Sequence, residues 1–150
     1  MNIHDTNFTS SEPIYDFFVA GPFFTHPEMQ SMERLEHVLT VRHKRLFMPR
    51  FAADLSTVGP TQCFNVDLQG IRNSRALIAN VMDTDPGTMF EIGYAYSLGK
   101  PVYVYAEGIQ PGAKMNLMIA QAATVILTGP ADLEALLDSG KFESVEVTQY

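Results

Sequence analysis

Apolar runs and helical patterns alternate along the chain. Tyr15–Ala20 (YDFFVA) is an apolar run that stops at Gly21-Pro22, and it predicts a strand. Met29, Met32, Leu35 and Leu39 then recur every three or four residues, which predicts a helix over about 27–41. Its start is marked by Thr25-His26-Pro27-Glu28, a capping box with Thr25 as N-cap. A short second strand is expected at 46–49 and a helix at about 61–74, with Phe64, Leu68 and Ile71 as its apolar stripe. The run 76–82 (ALIANVM) is apolar except for Asn80, as a strand buried on both faces should be. Asp83 to Gly87 reads as a turn opening a helix to about Leu98, closed by Gly99 and barred from continuing by Pro101. A fourth strand at 102–106, a Gly/Pro loop at 107–114, a short helix at 115–122, a fifth strand at 124–127 and a helix from Gly129-Pro130 to about Leu137 complete the pattern.

Strands alternating with helices predict β-α-β units with right-handed crossovers. The expected fold is α/β: a single-domain, flavodoxin-like three-layer sandwich whose five-stranded parallel sheet has the order 2-1-3-4-5. Residues 1–14 read as a flexible polar lead-in and 15–150 as the domain. In such sheets the ligand crevice lies beyond the C-terminal strand ends, at the switch point between the first and third strands. The loops starting at Gly21, Asp83 and Glu107 are therefore expected to line it.

Composition narrows the function. At 150 residues the chain suits one domain, and 10 Lys and Arg against 17 Asp and Glu give a net charge of −7. That balance argues against nucleic acid and against an anionic membrane surface as partners. Residues 1–13 lack the basic start and apolar core of a signal peptide, and no apolar run is long enough to span a bilayer, so a soluble cytoplasmic protein is expected. The single cysteine, Cys63, excludes an internal disulfide, and a packed thiol is its simplest role. His4, His26, His37 and His43 have no ligand spacing, so no metal and no cofactor are expected.

The loops carry the candidate chemistry. Gly21-Pro22-Phe23-Phe24 is neither a dinucleotide fingerprint nor a P-loop, and its adjacent rings suit stacking on a flat ligand as well as core packing. Glu91 sits among Met89, Phe90, Ile92 and Ala95 near the start of a helix that opens at the crevice. The helix dipole favours its ionised form and the apolar neighbours oppose it. An ionised carboxylate there suits attack on an electrophilic carbon; an exposed helix position is the plainer alternative. Asp85, before Pro86, is placed to cap that helix. Asp67, in a helix weakened by Gly70, reads on composition alone as a solvated acid. The basic run Arg42, Lys44 and Arg45 suits a helix end, whereas Arg50 is better placed for a crevice role.

These segments taken together resemble the nucleoside 2-deoxyribosyltransferase family: VAGPFF (19–24), DLQGI (67–71), DPGTMFEIGYA (85–95), GKPV (99–102), NLM (116–118) and the final Tyr150. The resemblance implies an enzyme that moves 2-deoxyribose between nucleobases by double displacement, with 2′-deoxynucleosides and free bases as partners. It implies Glu91 as nucleophile and Asp67 and Asp85 as the acids that assist proton traffic. It further implies contacts to substrate from Gly21, Phe23, Phe24, Asn116, Met118 and Tyr150, the last three reaching a neighbouring copy. A homo-oligomer, a hexamer or another dimer-based assembly with shared sites, follows from the same resemblance. Two departures stand out: Phe17 where family members often have a strand-one Tyr, and Arg75 where they often have Asp. A 2′-deoxynucleoside 5′-phosphate N-hydrolase on the same fold is the alternative, disfavoured because Pro22-Phe23-Phe24 bring no side-chain donor for a phosphate. A non-catalytic nucleoside-binding module would not need the three carboxylates.

Overall fold

The computed structural model describes residues 13–150, so the expected lead-in lies almost wholly outside the described residues. The chain runs β1 (Tyr15–Ala20), α1 (His26–Thr40), β2 (Leu46–Phe47), α2 (Pro49–Ala52), α3 (Leu55–Val58), α4 (Pro60–Arg72), β3 (Ser74–Asn80), α5 (Pro86–Ser97), β4 (Val102–Tyr105), β5 (Lys114–Met115), α6 (Leu117–Ala122), β6 (Val125–Leu127), α7 (Pro130–Ser139) and β7 (Thr148–Gln149). Five strands form a parallel sheet in the order β2-β1-β3-β4-β6, which is the expected 2-1-3-4-5 order counted without the short β5.

Alternation of side chains sets the two cores. Phe17, Val19, Ala76 and Ile78 face Met32, Leu35 and Leu39 of α1 and Leu133 of α7. Phe18, Ala20, Leu77 and Ala79 face Ile71 of α4 and Ile92 and Ala95 of α5. A parallel sheet covered on both faces needs such near-continuous apolar strands. The capping box forms as expected: Phe24 N and Thr25 N donate to Glu28 Oε1 at 2.9 Å, and Glu28 N donates to Thr25 Oγ1 at 3.3 Å.

Several boundaries move, each for a local reason. The second strand ends at Phe47 because Pro49 has no N–H to give a ladder and instead opens α2. The helix expected to reach Ser74 ends at Arg72, and buried Ser74 begins β3 with its Oγ donating to Gly70 O at 2.7 Å. The third strand ends at Asn80 because Asn80 Oδ1 accepts from Met82 N at 3.1 Å and folds the chain into a single 3₁₀ turn, Met82–Thr84. Asn80 is itself buried, with Nδ2 donating to Ser31 Oγ at 2.8 Å. Between the second strand and α4, where the sequence predicts no element, lie the short helices α2 and α3. The short helix expected from Met115 starts at Leu117, with Asn116 as N-cap. The β5–β7 pair had no sequence signal, since two-residue strands carry no period.

Gly70 positions the functional side of α4. A Cβ there would lie 2.6–2.7 Å from three atoms of the Phe47 ring, so only glycine lets α4 sit this close to β2. Gly70→Ala is expected to lose about 1–3 kcal/mol of stability through overpacking, against which its better helix propensity returns about 1 kcal/mol. Urea unfolding checks this: a midpoint equal to or above that of the parent would show that the contact relaxes freely.

Candidate active site

A cleft of about 700 Å³ opens at the C-terminal ends of β1 and β2, under α4 and α5. The first loop brings Gly21, Phe23 and Phe24 to it; α4 brings Phe64 and Asp67; α5 brings Asp85 at its N-cap, Phe90 and Glu91. Pro49, Arg50, Asp54 and Leu55 close it from the β2 side. The expectation that Glu107 lines the crevice is corrected. Its carboxylate accepts from Arg34 Nη2 at 2.7 Å and from Tyr105 Oη at 2.7 Å, beside a separate small cavity.

Glu91, Asp67 and Asp85 converge in this cleft, although they come from two helices. Burial, and then the charges of Asp67 and Asp85, push the Glu91 carboxyl up to about 8. Burial also raises Asp67 above the usual carboxylate range. Of the two opposing influences on Glu91, burial therefore outweighs the helix dipole. Near neutral pH Glu91 therefore keeps its proton, beside the carboxyl groups of Asp67 and Asp85. Asp67 is half-buried rather than the solvated acid its composition suggested.

Asp85 does cap α5: its Oδ2 accepts from Thr88 N and Thr88 Oγ1, both at 2.9 Å. This cap does not take it out of the cleft. The turn before it is fixed by unusual backbone, with Asp83 at φ 58° and Thr84 at φ 45°. Left-handed φ at non-glycine residues is disfavoured by roughly 1–2 kcal/mol each. Such backbone persists where the surroundings over-determine it, and here it aims the start of α5 at the crevice.

The walls are aromatic. Phe23 and Phe24 stack with centroids 4.8 Å apart, and Phe24 is 71% exposed. Phe64 and Phe90 meet at 5.9 Å across the α4–α5 side. Phe64 was assigned to the buried stripe of its helix, yet it is 51% exposed and faces the cleft, while Ile71 alone of that stripe is fully buried. The signal was present: Phe64 and Asp67 are three apart and share one helix face.

Phe17 does not stand where a partner of Glu91 would. It lies in the core against α1, packed at 5.7 Å on Tyr103, on the opposite face of the sheet from α5. Arg42 pairs with Asp138 and Arg45 with Asp16, so both serve the fold. Cys63 is half-buried at the cleft wall.

Asn116, Met118 and Tyr150 do not join Glu91 within one chain. They line a second, largely apolar cavity of about 910 Å³ with Met89, Ile92 and Tyr96 from the other flank of α5. Asn116 caps α6 through Met118 N at 2.9 Å, and Tyr150 O accepts from Leu117 N at 3.0 Å. Among the described residues no group of three or more His, Cys, Asp or Glu side chains is arranged to hold a metal ion. No described helix is long and apolar enough to cross a membrane.

Comparison with known proteins bears on the family and the fold. The model of the nucleoside 2-deoxyribosyltransferase family matches residues 17–118. Among solved structures, a 2-deoxyribosyltransferase from Bacillus psychrosaccharolyticus is similar at 27% identity, with a TM-score of 0.68 over 79% of this chain and 89% of that one. A 2-deoxyribosyltransferase from Leishmania mexicana is similar at 25% identity, with a TM-score of 0.51 over 63% of this chain and 66% of that one. A CMP N-glycosidase from Clostridium botulinum shares the fold at 20% identity, with a TM-score of 0.55 over 81% of this chain and 97% of that one. No curated protein sequence matches significantly.

Proposed function

The chain belongs to the nucleoside 2-deoxyribosyltransferase family, and from that footing we propose that it transfers 2-deoxyribose between nucleobases through a covalent ester on Glu91. The observation that carries this reading is the convergence of Glu91, Asp67 and Asp85 in one aromatic-walled cleft, with Glu91 raised to about 8.

The raised carboxyl balances the reaction. A neutral nucleoside and a carboxylate cluster holding one proton contain all the atoms of the first half-reaction. Glu91, in the tautomer that leaves it ionised, attacks C1′ with its carboxylate oxygen; the C1′–N bond breaks; the shared proton goes to the departing base nitrogen, with Asp67 or Asp85 as its carrier. In the second half a new base loses its N–H proton to the cluster and attacks C1′, and the ester C–O bond breaks. Two inversions keep the β configuration, as in retaining glycosidases. Phe23, Phe24, Phe64 and Phe90 offer apolar faces for the bases, and Gly21 lets the first loop lie close to α1, where a Cβ would collide with Met32 Sδ.

The cleft favours a nucleoside over a nucleotide. Among the described residues its lining cation, Arg50, stands against Glu36 at 2.7 Å, and Asp54, Asp67, Asp85 and Glu91 line the same cleft. A dianionic phosphate would meet repulsion from these carboxylates. The exposed Met118 and Tyr150 beside the second cavity support the further reading that a neighbouring copy supplies part of each site, in a homo-oligomer.

Incubation of 2′-deoxyuridine with hypoxanthine is expected to yield 2′-deoxyinosine and uracil, with little free deoxyribose while acceptor is abundant. Chromatography that shows only free sugar, or turnover of deoxyuridine 5′-phosphate in preference to deoxyuridine, would replace transfer by hydrolysis.

A further inference from the structure

Arg50 has a chemistry that the transfer mechanism does not use. It lies in the first turn of α2, just beyond β2, and lines the cleft wall. Its side chain and that of Glu36 are each only 11% exposed, and Nη2 donates to Glu36 Oε2 at 2.7 Å. That single contact leaves Arg50 Nε, Arg50 Nη1 and Glu36 Oε1 buried with no hydrogen-bond partner among the described residues. Buried donors without partners are uncommon and destabilising, and one beside a ligand cleft points to an acceptor brought by the ligand. The Phe51 ring covers the guanidinium at 4.6 Å. Phe51 is itself 68% exposed, so little burial holds its ring over the guanidinium.

Sheet order says which part of a ligand Arg50 meets. Glu91 and Asp85 follow β3 and Arg50 follows β2, with β1 between them. Two strand spacings separate the ends, about 10 Å. The base of a deoxyribose seated at Glu91 meets Arg50 if it extends across the end of β1. Guanidinium is a donor only, with no acceptor to offer an amino group. Resting on the transferase reading above, we propose that Arg50 reads the base edge remote from the sugar and selects bases that carry a carbonyl oxygen there over bases that carry an amino group. Hypoxanthine and guanine are selected over adenine, and uracil and thymine over cytosine. Glu36 is the positioning residue that holds Arg50 against the wall.

Acceptor competition tests this, with thymidine as donor and the pairs hypoxanthine/adenine and uracil/cytosine. The wild-type kcat/KM is expected to favour the carbonyl member of both pairs by at least about tenfold, since a site with buried donors discriminates strongly against a ligand that leaves them unpaired. Arg50→Met is expected to bring both ratios close to unity by raising KM for the carbonyl bases, with adenine and cytosine changed by no more than about threefold. Should Arg50→Met fail to fold, Arg50→Gln keeps a donor for Glu36 yet offers the base both a donor and an acceptor, and it carries the same expectation. No preference in the wild type, or ratios unmoved in the variant, overturns the inference. Calorimetric binding of the free bases separates it from the transferase reading. Arg50-dependent preference for hypoxanthine over adenine without exchange would end the transferase reading alone, and equal binding would end this one.

Discussion

Replacement of Glu91 by Gln is expected to abolish base exchange, by about 10⁴-fold or more, while leaving the protein folded and more resistant to unfolding at alkaline pH. The amide keeps the size of the side chain and its place near the start of α5, but it has no anionic oxygen to form the ester. Mass spectrometry of the wild type quenched during turnover of a 2′-deoxynucleoside should show a deoxyribosyl adduct on the peptide containing Glu91, absent from the variant. Turnover near the wild-type rate in Glu91→Gln would remove Glu91 from the mechanism.

The second large effect is on pH. The Glu91 carboxyl titrates at about 8 in the folded protein against an ordinary value of 4.5, so between these values the folded state holds a proton that the unfolded state has lost. The linkage sign is then fixed: stability is greatest at the acid end of that window, falls as pH rises from about 4.5 to about 8, and levels above it. The span corresponds to about 3–5 kcal/mol from this one group. Urea unfolding at pH 5, 7 and 9 should show the decline in the wild type and a much weaker one in Glu91→Gln. Parallel pH profiles for the two proteins would show that Glu91 is not the group responsible. The same proton sets activity. Since the departing base needs it, kcat/KM for a neutral nucleoside is expected to fall as pH rises through about 8.

Much of this was legible in the sequence, for identifiable reasons. The strand positions follow from apolar runs spaced by helical patterns, and the capping box at Thr25 and Glu28 formed as read. Helix-start chemistry at Asp85-Pro86 placed α5 correctly, and with it Glu91. The misses share a cause. Asn80 ends β3 through a side-chain bond to Met82 N, and Ser74 begins it through packing; periodicity contains neither. Asp67 looked like a surface acid because its burial depends on how closely α4 approaches β2, a tertiary contact that only Gly70 hints at. Glu107 looked like a crevice residue from its place after a strand, yet Arg34, far off in sequence, holds it elsewhere. Arg50 was singled out for its position alone. Its buried pairing with Glu36, which gives that position its chemistry, crosses from α1 to α2.

The two outer strands of the main sheet have a further consequence. β2 spans two residues and β6 three, and the β2 margin is flanked by the Arg45–Asp16 ion pair. So short and charged a margin offers few free backbone groups to a foreign strand, which guards against sheet-to-sheet growth and aggregation. Copies of this chain that meet therefore find little of the main sheet's edge to pair with, and side chains on helices and loops are the larger surface left to them. Such contacts can be retuned one residue at a time without touching the hydrogen-bonded frame that holds the carboxylates in place.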